Sequence, residues 1–127
     1  MSEDRRYPSQ VGIDAYGNGG FRFAGMSHRG GLLCLPSGMM AWPVTAPGEI
    51  TLESLAPVLA AADDIDVLLI GLGADIAAIP KALRETLRER RIIVEAVNTG
   101  SAIRTYNVLL AEERSVAAAL IAVDKVR

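Results

Sequence analysis

An uninterrupted apolar run, VLLIGL, spans residues 67–72 and limits the folds open to this chain. Its residues do not alternate between apolar and polar, and several of the side chains are branched. Such a run is typical of a strand that is covered on both faces, because a strand with one solvated face would alternate. The run therefore predicts a layered structure in which this strand is central and has a parallel neighbour.

Segments with helix and strand patterns alternate around this strand. Leu83 and Leu87 form an apolar stripe in a charged segment after Pro80, a residue suited to the first turn of a helix. The other patterns predict a helix over residues 51–64, a strand over 92–97, a helix over 98–114 and, over 115–123, a last buried strand or else a helix. Strands that alternate with helices favour crossover connections and a mainly parallel sheet.

The block from Ile13 to Trp42 has a different character, since glycine and proline interrupt short pieces with nearly alternating patterns. Tight turns are predicted at YGNGGF, residues 16–21, and at LPSGM, residues 35–39. The whole block is therefore interpreted as an antiparallel β-meander.

Together these patterns assign the chain to the α/β class. Residues 11–127 are expected to form a single domain, with a mixed, mainly parallel central sheet flanked by helices and by the N-terminal meander layer. Residues 1–10 are polar and are expected to form a flexible arm.

Charge and cysteine content exclude several classes of function. Thirteen basic and fifteen acidic side chains give a net charge of -2, which leaves no excess for binding nucleic acid. Cys34 is the only cysteine, so an internal disulfide is excluded and a reducing, cytoplasmic compartment is expected. The start of the chain is too polar for a targeting signal, and its apolar runs fall far short of the roughly 20 residues of a transmembrane helix.

The glycines after the central strand, Gly71 and Gly73, could begin a dinucleotide- or adenosylmethionine-binding turn. Gly71 and Gly73 follow a strand, and Glu95 stands near the end of the next strand, where an acid could hold a ribose hydroxyl. However, Ile76 occupies the position of the third glycine, and the helix start at Pro80 is displaced from the loop. The simpler interpretation is a strand that meets a loop, and no cofactor is expected.

A second junction, at residues 98–107, is more informative. If the strands ending at Ile70 and Val97 are parallel neighbours, their loops emerge at the same carboxyl edge of the sheet, where α/β folds place binding sites. Hydrogen-bonding side chains there could hold a carboxylate, a phosphate or the backbone of a partner protein. The candidate binding residues are Gly71, Gly73, Asn98, Thr99, Arg104, Tyr106 and Asn107.

The same residues also have a purely structural interpretation. Thr99 or Ser101 would cap the helix, and Asn107 would tie down a loop. Arg104 would pair with an acid such as Glu95, and Tyr106 would pack in the core.

No catalytic residue and no metal ligand set is predicted. His28 and Cys34 are six positions apart, a spacing that merely puts both on one face of a strand. Cys34 lies in LLCLP and is expected to be a small buried apolar residue.

Three motifs resemble those of the small Mth-type domain family, formerly a domain of unknown function. They are YGNGGFRFAG, DVLLIGLGAD and, most specifically, TGSAIRTYNVLLAEER within IPKALRETLRERRIIVEAVNTGSAIRTYNVLLAEERSVAAAL. The family includes bacterial and archaeal proteins, the adipogenesis-associated Mth-domain protein and assembly factor three of mitochondrial respiratory complex I. The resemblance implies a single α/β domain without an established enzymatic activity. Its pattern marks Gly71, Gly73, Thr99, Arg104, Tyr106 and Asn107.

Two functions follow as expectations. The first is a non-catalytic domain that binds a protein partner, as an assembly or maturation factor for a respiratory or membrane complex. The second is an enzyme or sensor that holds a nucleotide or another anionic small molecule between the loops Gly71–Asp75 and Asn98–Asn107.

Overall fold

A computed structural model of the chain describes residues 6–74 and 77–124. The strands are β1 (Arg6–Tyr7), β2 (Ala15–Gly17), β3 (Gly20–Phe23), β4 (Met26–Arg29), β5 (Gly31–Leu35), β6 (Gly38–Trp42), β7 (Val67–Gly71), β8 (Ile93–Val97) and β9 (Val116–Leu120). The helices are α1 (Ala56–Ala60), α2 (Lys81–Glu89) and α3 (Thr99–Ala111), with short 3₁₀ turns at Pro47–Glu49 and Ala62–Asp64.

The central sheet has six strands in the order β1-β6-β5-β9-β7-β8. The apolar run found first in the sequence forms β7, which is buried along its whole length and pairs in parallel with both β8 and β9. The last apolar segment forms β9 and is also fully buried. The prediction of a central strand with parallel neighbours is therefore confirmed.

The sheet is mixed, as predicted, but the expected majority of parallel pairs is not found. Strands β1, β6, β5 and β9 pair with one another in antiparallel fashion. The reason is that β5 and β6, which the sequence placed in the meander, add to the central sheet through β9.

Only the first part of the N-terminal block forms the separate meander. Strands β2, β3 and β4 make a three-stranded antiparallel sheet, and the chain leaves it at Gly30, whose φ is +90°. Asn18 and Gly19 form the predicted two-residue turn between β2 and β3, with φ values of 54° and 78°. The meander is therefore shorter than the sequence suggested.

The central sheet has a hydrophobic core on each face. On one face, Leu83 and Leu87 of α2 pack with Val58 of α1 and with Trp42. On the other face, α3 and the three-stranded sheet close the second core, to which Phe23 and Tyr106 belong. Helices α2 and α3 thus lie on opposite faces of β7.

Part of the expected N-terminal arm lies against the sheet. Arg6 and Tyr7 pair with β6, and Gln10 donates from Nε2 to the Val116 carbonyl at 2.7 Å. These contacts place Arg6, Tyr7 and Gln10 against the central sheet. Residues 1–5 lie outside the described part of the chain. Within the described part, no helix combines the length and apolar character that a membrane crossing needs.

Candidate functional site

The carboxyl ends of β7 and β8 meet at one edge of the sheet. Gly71 is in register with Val97, and the Leu72 amide donates to the Val97 carbonyl at 2.8 Å. The prediction that the strands ending at Ile70 and Val97 run side by side in parallel is confirmed. Because α2 and α3 leave toward opposite faces, this edge is a topological switch point, where open α/β sheets bind ligands.

Thr99 closes the crevice between these two strand ends. Its side chain is fully buried, and its hydroxyl accepts from the Gly73 amide at 2.9 Å and donates to the Ile121 carbonyl at 2.7 Å. Its backbone amide also donates to the Gly73 carbonyl at 2.9 Å. Thr99 therefore joins three segments, namely the loop after β7, the start of α3 and the end of β9.

Different structural constraints favour glycine at positions 71 and 73 of the candidate site. A Cβ atom on Gly71 would lie 2.9 Å from the Thr99 hydroxyl oxygen and 3.0 Å from a Leu120 methyl carbon, so close packing requires glycine there. Gly73 has a φ of +95°, a left-handed value that favours glycine. Neither requirement depends on a bound phosphate.

Asn98 is the N-cap of α3, since its side-chain oxygen accepts from the Ser101 amide at 2.8 Å. The structural interpretation that assigned the cap to Thr99 or Ser101 is therefore wrong. The first turn of α3 faces the loop after β7, where its dipole favours negative charge.

Tyr106 and Asn107 point away from this edge and fasten the N-terminal segment. The Tyr106 hydroxyl donates to the Val11 carbonyl at 2.8 Å. The Asn107 side chain makes the two hydrogen bonds to Ile13 that the backbone of a neighbouring strand would make. It accepts from the Ile13 amide at 2.9 Å and donates to the Ile13 carbonyl at 2.9 Å. Both residues have the structural contacts that the alternative interpretation predicted.

A cavity of about 210 Å³ lies beside the N-terminus of α3. It is lined by Tyr16, Gly73, Ala74, Asn98, Gly100, Arg104 and Val123. Tyr16 reaches it from the three-stranded sheet, and a Cβ atom on Gly100 would collide with the Tyr16 hydroxyl. Tyr16 could not be predicted as part of this cavity from local patterns, because its approach depends on packing between distant segments.

Arg104 gives this cavity its positive charge. Its side chain is exposed, and Nη2 donates to the Ser101 hydroxyl at 3.1 Å. An arginine beside a helix N-terminus can bind a carboxylate or phosphate through charge-assisted hydrogen bonds. Glu95, the acid considered for a ribose hydroxyl, is exposed on β8 and does not line the cavity.

A second cavity of about 570 Å³ adjoins the first through Gly73, Ala74 and Val123. Its other lining residues are Thr45, Ala46, Pro47, Leu72, Ala77, Ile121, Ala122 and Asp124. Asp75 and Ile76, which the sequence placed in the loop near this edge, lie outside the described residues. The two adjoining cavities are together called the cleft, which has Arg104 at one end and Asp124 at the other.

His28 and Cys34 are both engaged in structural contacts. His28 lies in β4, where Nε2 contacts the Gly31 carbonyl at 2.8 Å and Nδ1 contacts the Tyr7 hydroxyl at 2.9 Å. Because a carbonyl only accepts, Nε2 carries a proton, and in the neutral imidazole Nδ1 then accepts from the Tyr7 hydroxyl. Cys34 is buried in β5, and burial raises the pKa of its thiol to about 12, so the reactive thiolate is disfavoured at neutral pH. Among the described residues, no group of three or more histidine, cysteine or acidic side chains is arranged to hold a metal ion.

The sequence is similar to proteins from bacteria and animals. An uncharacterized protein of Rhodobacter capsulatus is 46% identical over 109 residues, which cover 86% of this chain and 82% of that protein. The NADH dehydrogenase [ubiquinone] 1 alpha subcomplex assembly factor 3 of Danio rerio is 35% identical over 109 residues, 86% of this chain and 63% of the factor. The chain thus spans less than two thirds of that assembly factor.

Solved structures share the fold. A crystal structure described as an outer membrane protein from Bartonella henselae is 52% identical, with a TM-score of 0.89 over 93% of this chain and 99% of that one. A Mth938-like domain from Bordetella pertussis is 25% identical, with a TM-score of 0.78 over 99% of this chain and 95% of that one. The family model described as a protein of unknown function (DUF498/DUF598) matches residues 13–121. The chain therefore belongs to the DUF498/DUF598 family, and the resemblance to Mth-type domains is confirmed.

Proposed function

We propose that this chain is a non-catalytic protein-binding domain that acts in the assembly or maturation of a respiratory or membrane protein complex. The observation that carries the proposal is the 35% identity to a protein named as an NADH dehydrogenase assembly factor. The match covers 86% of this chain. Binding of a protein partner requires a contact surface and no reactive group.

The geometry of the carboxyl edge supports a contact role. Thr99 and Gly73 are bonded to each other, so they build the floor of the cleft. Arg104 is exposed beside it and can donate to a partner's carboxylate or backbone carbonyl. In this role, the partner places an acidic or carbonyl-bearing loop against Arg104.

The test is capture of partners from native cells at native expression levels, followed by removal of the chain. Wild-type protein should recover subunits of one membrane complex, and its loss should lower the amount of the assembled complex on a native gel. Arg104→Ala should weaken the recovery several-fold, whereas Arg114→Ala, at another exposed arginine, should not. A robust turnover in a substrate screen, together with unchanged assembly after removal of the chain, would refute the proposal.

A second candidate function is binding of an anionic small molecule. The specific observation in its favour is the cavity of about 210 Å³ in which Arg104 lies beside the first turn of α3. Thermal-shift screening against nucleotides, adenosylmethionine and carboxylates tests it, since a ligand at 100 times its Kd adds about 2.7 kcal/mol of stability. A shift that Arg104→Ala abolishes would support the small molecule, and the absence of any shift would favour the protein partner.

We also propose a cytoplasmic location. The single, buried cysteine fits a reducing compartment, where thiols stay reduced. Fractionation of native cells with antibody detection tests this location, and recovery in a periplasmic or membrane fraction would contradict it.

A further inference from the structure

Strand β8 is an edge of the central sheet and has an unpaired outer side among the described strands. Its Ile93 amide donates to the Asp66 carbonyl at 2.8 Å, and its Val97 carbonyl accepts from the Leu72 amide at 2.8 Å. Odd-numbered residues of β8 therefore bond inward to β7. Because backbone groups alternate along a strand paired in parallel, Val94 and Ala96 point their amides and carbonyls outward.

Two arginines of α2 lie beside this outer edge. Arg84 donates from Nη1 to the outward-facing Val94 carbonyl at 3.2 Å. Arg84 and Arg88 are one helical turn apart, and together they line a groove of about 220 Å³ with Ile92, Ile93 and Val94. Within the described residues, the exposed Arg88 side chain makes no ion pair or hydrogen bond.

The outer surface of α2 carries both signs of charge. Glu85 is three residues before Arg88, so the two are neighbours on the helix surface, but the carboxylate of Glu85 pairs with Lys81 at 3.9 Å. Within the described residues, neither Arg84 nor Arg88 forms an ion pair. Arginine at an edge can protect it from unwanted pairing, but it also selects an incoming strand that carries carboxylates.

The two faces of β8 differ in polarity. Val94 and Ala96 pack toward the core on the α2 side, whereas Ile93 is 62% exposed and its side chain points to the opposite face. An added strand would thus meet arginine on one face and the exposed side chains of Ile93 and Glu95 on the other. In a segment of alternating acidic and apolar residues, the carboxylates would face the arginines and only apolar side chains would face Ile93 and Glu95, since successive side chains of a strand point in opposite directions.

We propose that the β8 edge binds an extended segment of a partner protein in which acidic and apolar residues alternate. The segment adds as a seventh strand, bonds to the outward groups of Val94 and Ala96, and draws the Arg84 guanidinium from the Val94 carbonyl to its own carboxylate. A second copy of this chain is a poor occupant. Pairing β8 with itself in antiparallel register would bring four like-charged side chains together, Arg84 and Arg88 from each copy. This inference rests on the protein-binding role proposed above and gives it a second surface.

The test is a titration of the isotope-labelled full chain, followed by NMR, with a capped peptide of about nine residues. The probe alternates glutamate with valine, and the matched control peptide has glutamine in place of glutamate. We expect the Val94 and Ala96 amide signals to shift with the acidic probe, and the affinity to fall about tenfold with the glutamine peptide.

Three variants complete the design. Arg88→Gln should weaken binding of the acidic probe about tenfold, because it removes one charge-assisted contact. Arg22→Gln removes the same charge from the separate three-stranded sheet and should leave the affinity unchanged. Ala96→Pro deletes an outward amide at an edge position that tolerates proline and should block binding. Since Arg88 is exposed, its variant tests the idea even if Ala96→Pro fails to fold.

Several outcomes would overturn the inference. They are equal affinity for the two peptides, no binding of the acidic probe, signal shifts confined to the cleft around Arg104, or a dimer by sedimentation that Ala96→Pro dissociates. The two proposals also fail separately. If Arg88→Gln leaves the affinity for the acidic probe unchanged while native cells still yield the partner, the β8 surface is refuted and the assembly role stands.

Discussion

Among single residues, Thr99 makes the hydrogen bonds that connect the segments at the carboxyl edge of β7 and β8. The Thr99 hydroxyl satisfies the Gly73 amide and the Ile121 carbonyl at the same time, in a fully buried place. Thr99→Val keeps the shape of the side chain but leaves the Gly73 amide without its acceptor. We expect a loss of roughly 2–3 kcal/mol in the free energy of unfolding, measured with urea, because an unpaired buried polar group costs about 1–3 kcal/mol.

Thr99→Ser is the matched control. It keeps the hydroxyl and removes only a methyl group, so the loss should be about 1 kcal/mol. If the valine variant proves as stable as the serine variant, the Thr99 hydroxyl does not tie these segments together.

Cys34 carries the clearest prediction of pH dependence. Burial raises the pKa of its thiol from 9.0 to about 12, so above pH 9 the unfolded chain releases a proton that the folded chain keeps. Stability then falls as pH rises, because the folded state binds more protons. Between pH 8 and 10.5, the wild type should lose about 2 kcal/mol more than Cys34→Ala, since each full proton contributes about 1.4 kcal/mol per pH unit.

Urea unfolding of both proteins at several pH values measures this difference. Burial, and after it the neighbouring Cys34 thiol, also raises the pKa of the Tyr106 hydroxyl. The part due to burial is present in both proteins, and the part due to Cys34 is lost with the thiol and adds to the same difference. Parallel pH profiles for wild type and Cys34→Ala would show that the thiol is not desolvated in the folded state.

At the scale of elements, Asn107 fastens the segment before β2 to α3. Its side chain makes two hydrogen bonds to the backbone of Ile13, both at 2.9 Å. Asn107→Ala should therefore speed hydrogen exchange of the Ile13 amide by about ten- to a hundredfold, which corresponds to roughly 1–3 kcal/mol of local stability. An unchanged exchange rate at Ile13, with α3 intact, would refute this role.

The elements that the sequence predicted are those with a strong local pattern. The apolar run of β7 and the stripe of Leu83 and Leu87 on α2 required no knowledge of distant residues. The common carboxyl edge at which the strands ending at Ile70 and Val97 meet was also predicted, from the alternation of strands and helices. What could not be predicted is the pairing of β5 with β9, since antiparallel addition to a distant strand leaves no local signature.

The same contrast between local and distant signals explains which residues of the candidate site could be predicted. Position in the chain placed Asn98, Thr99 and Arg104 at the carboxyl edge, because each follows the end of β8. It could not tell that Tyr106 and Asn107 point away from that edge, since their partners Val11 and Ile13 lie more than ninety positions earlier.

At the scale of the whole molecule, several contacts join the two sheets. Tyr7 of the central sheet packs edge-on against Phe23 at 4.9 Å and bonds to His28 in the three-stranded sheet. At the other end, the amides of Asn18 and Gly19 donate to the carbonyls of Asp124 and Val123, at 2.9 and 2.8 Å. The three-stranded sheet therefore shares a core with the central sheet and makes backbone bonds to the segment that follows β9.

These links predict that the two sheets unfold in one cooperative transition. The buried Trp42 reports on the core packed against α2, while the amide signal of Phe21 reports on the three-stranded sheet across the molecule. In urea, the Trp42 fluorescence and the Phe21 signal should change with the same midpoint, because a chain of 127 residues with a shared core behaves as a two-state system. If Phe21 loses its native signal at a clearly lower urea concentration, the three-stranded sheet is a separate cooperative unit. In that case Tyr16 can leave Gly100 without global unfolding, and the cavity beside Arg104 opens on that side.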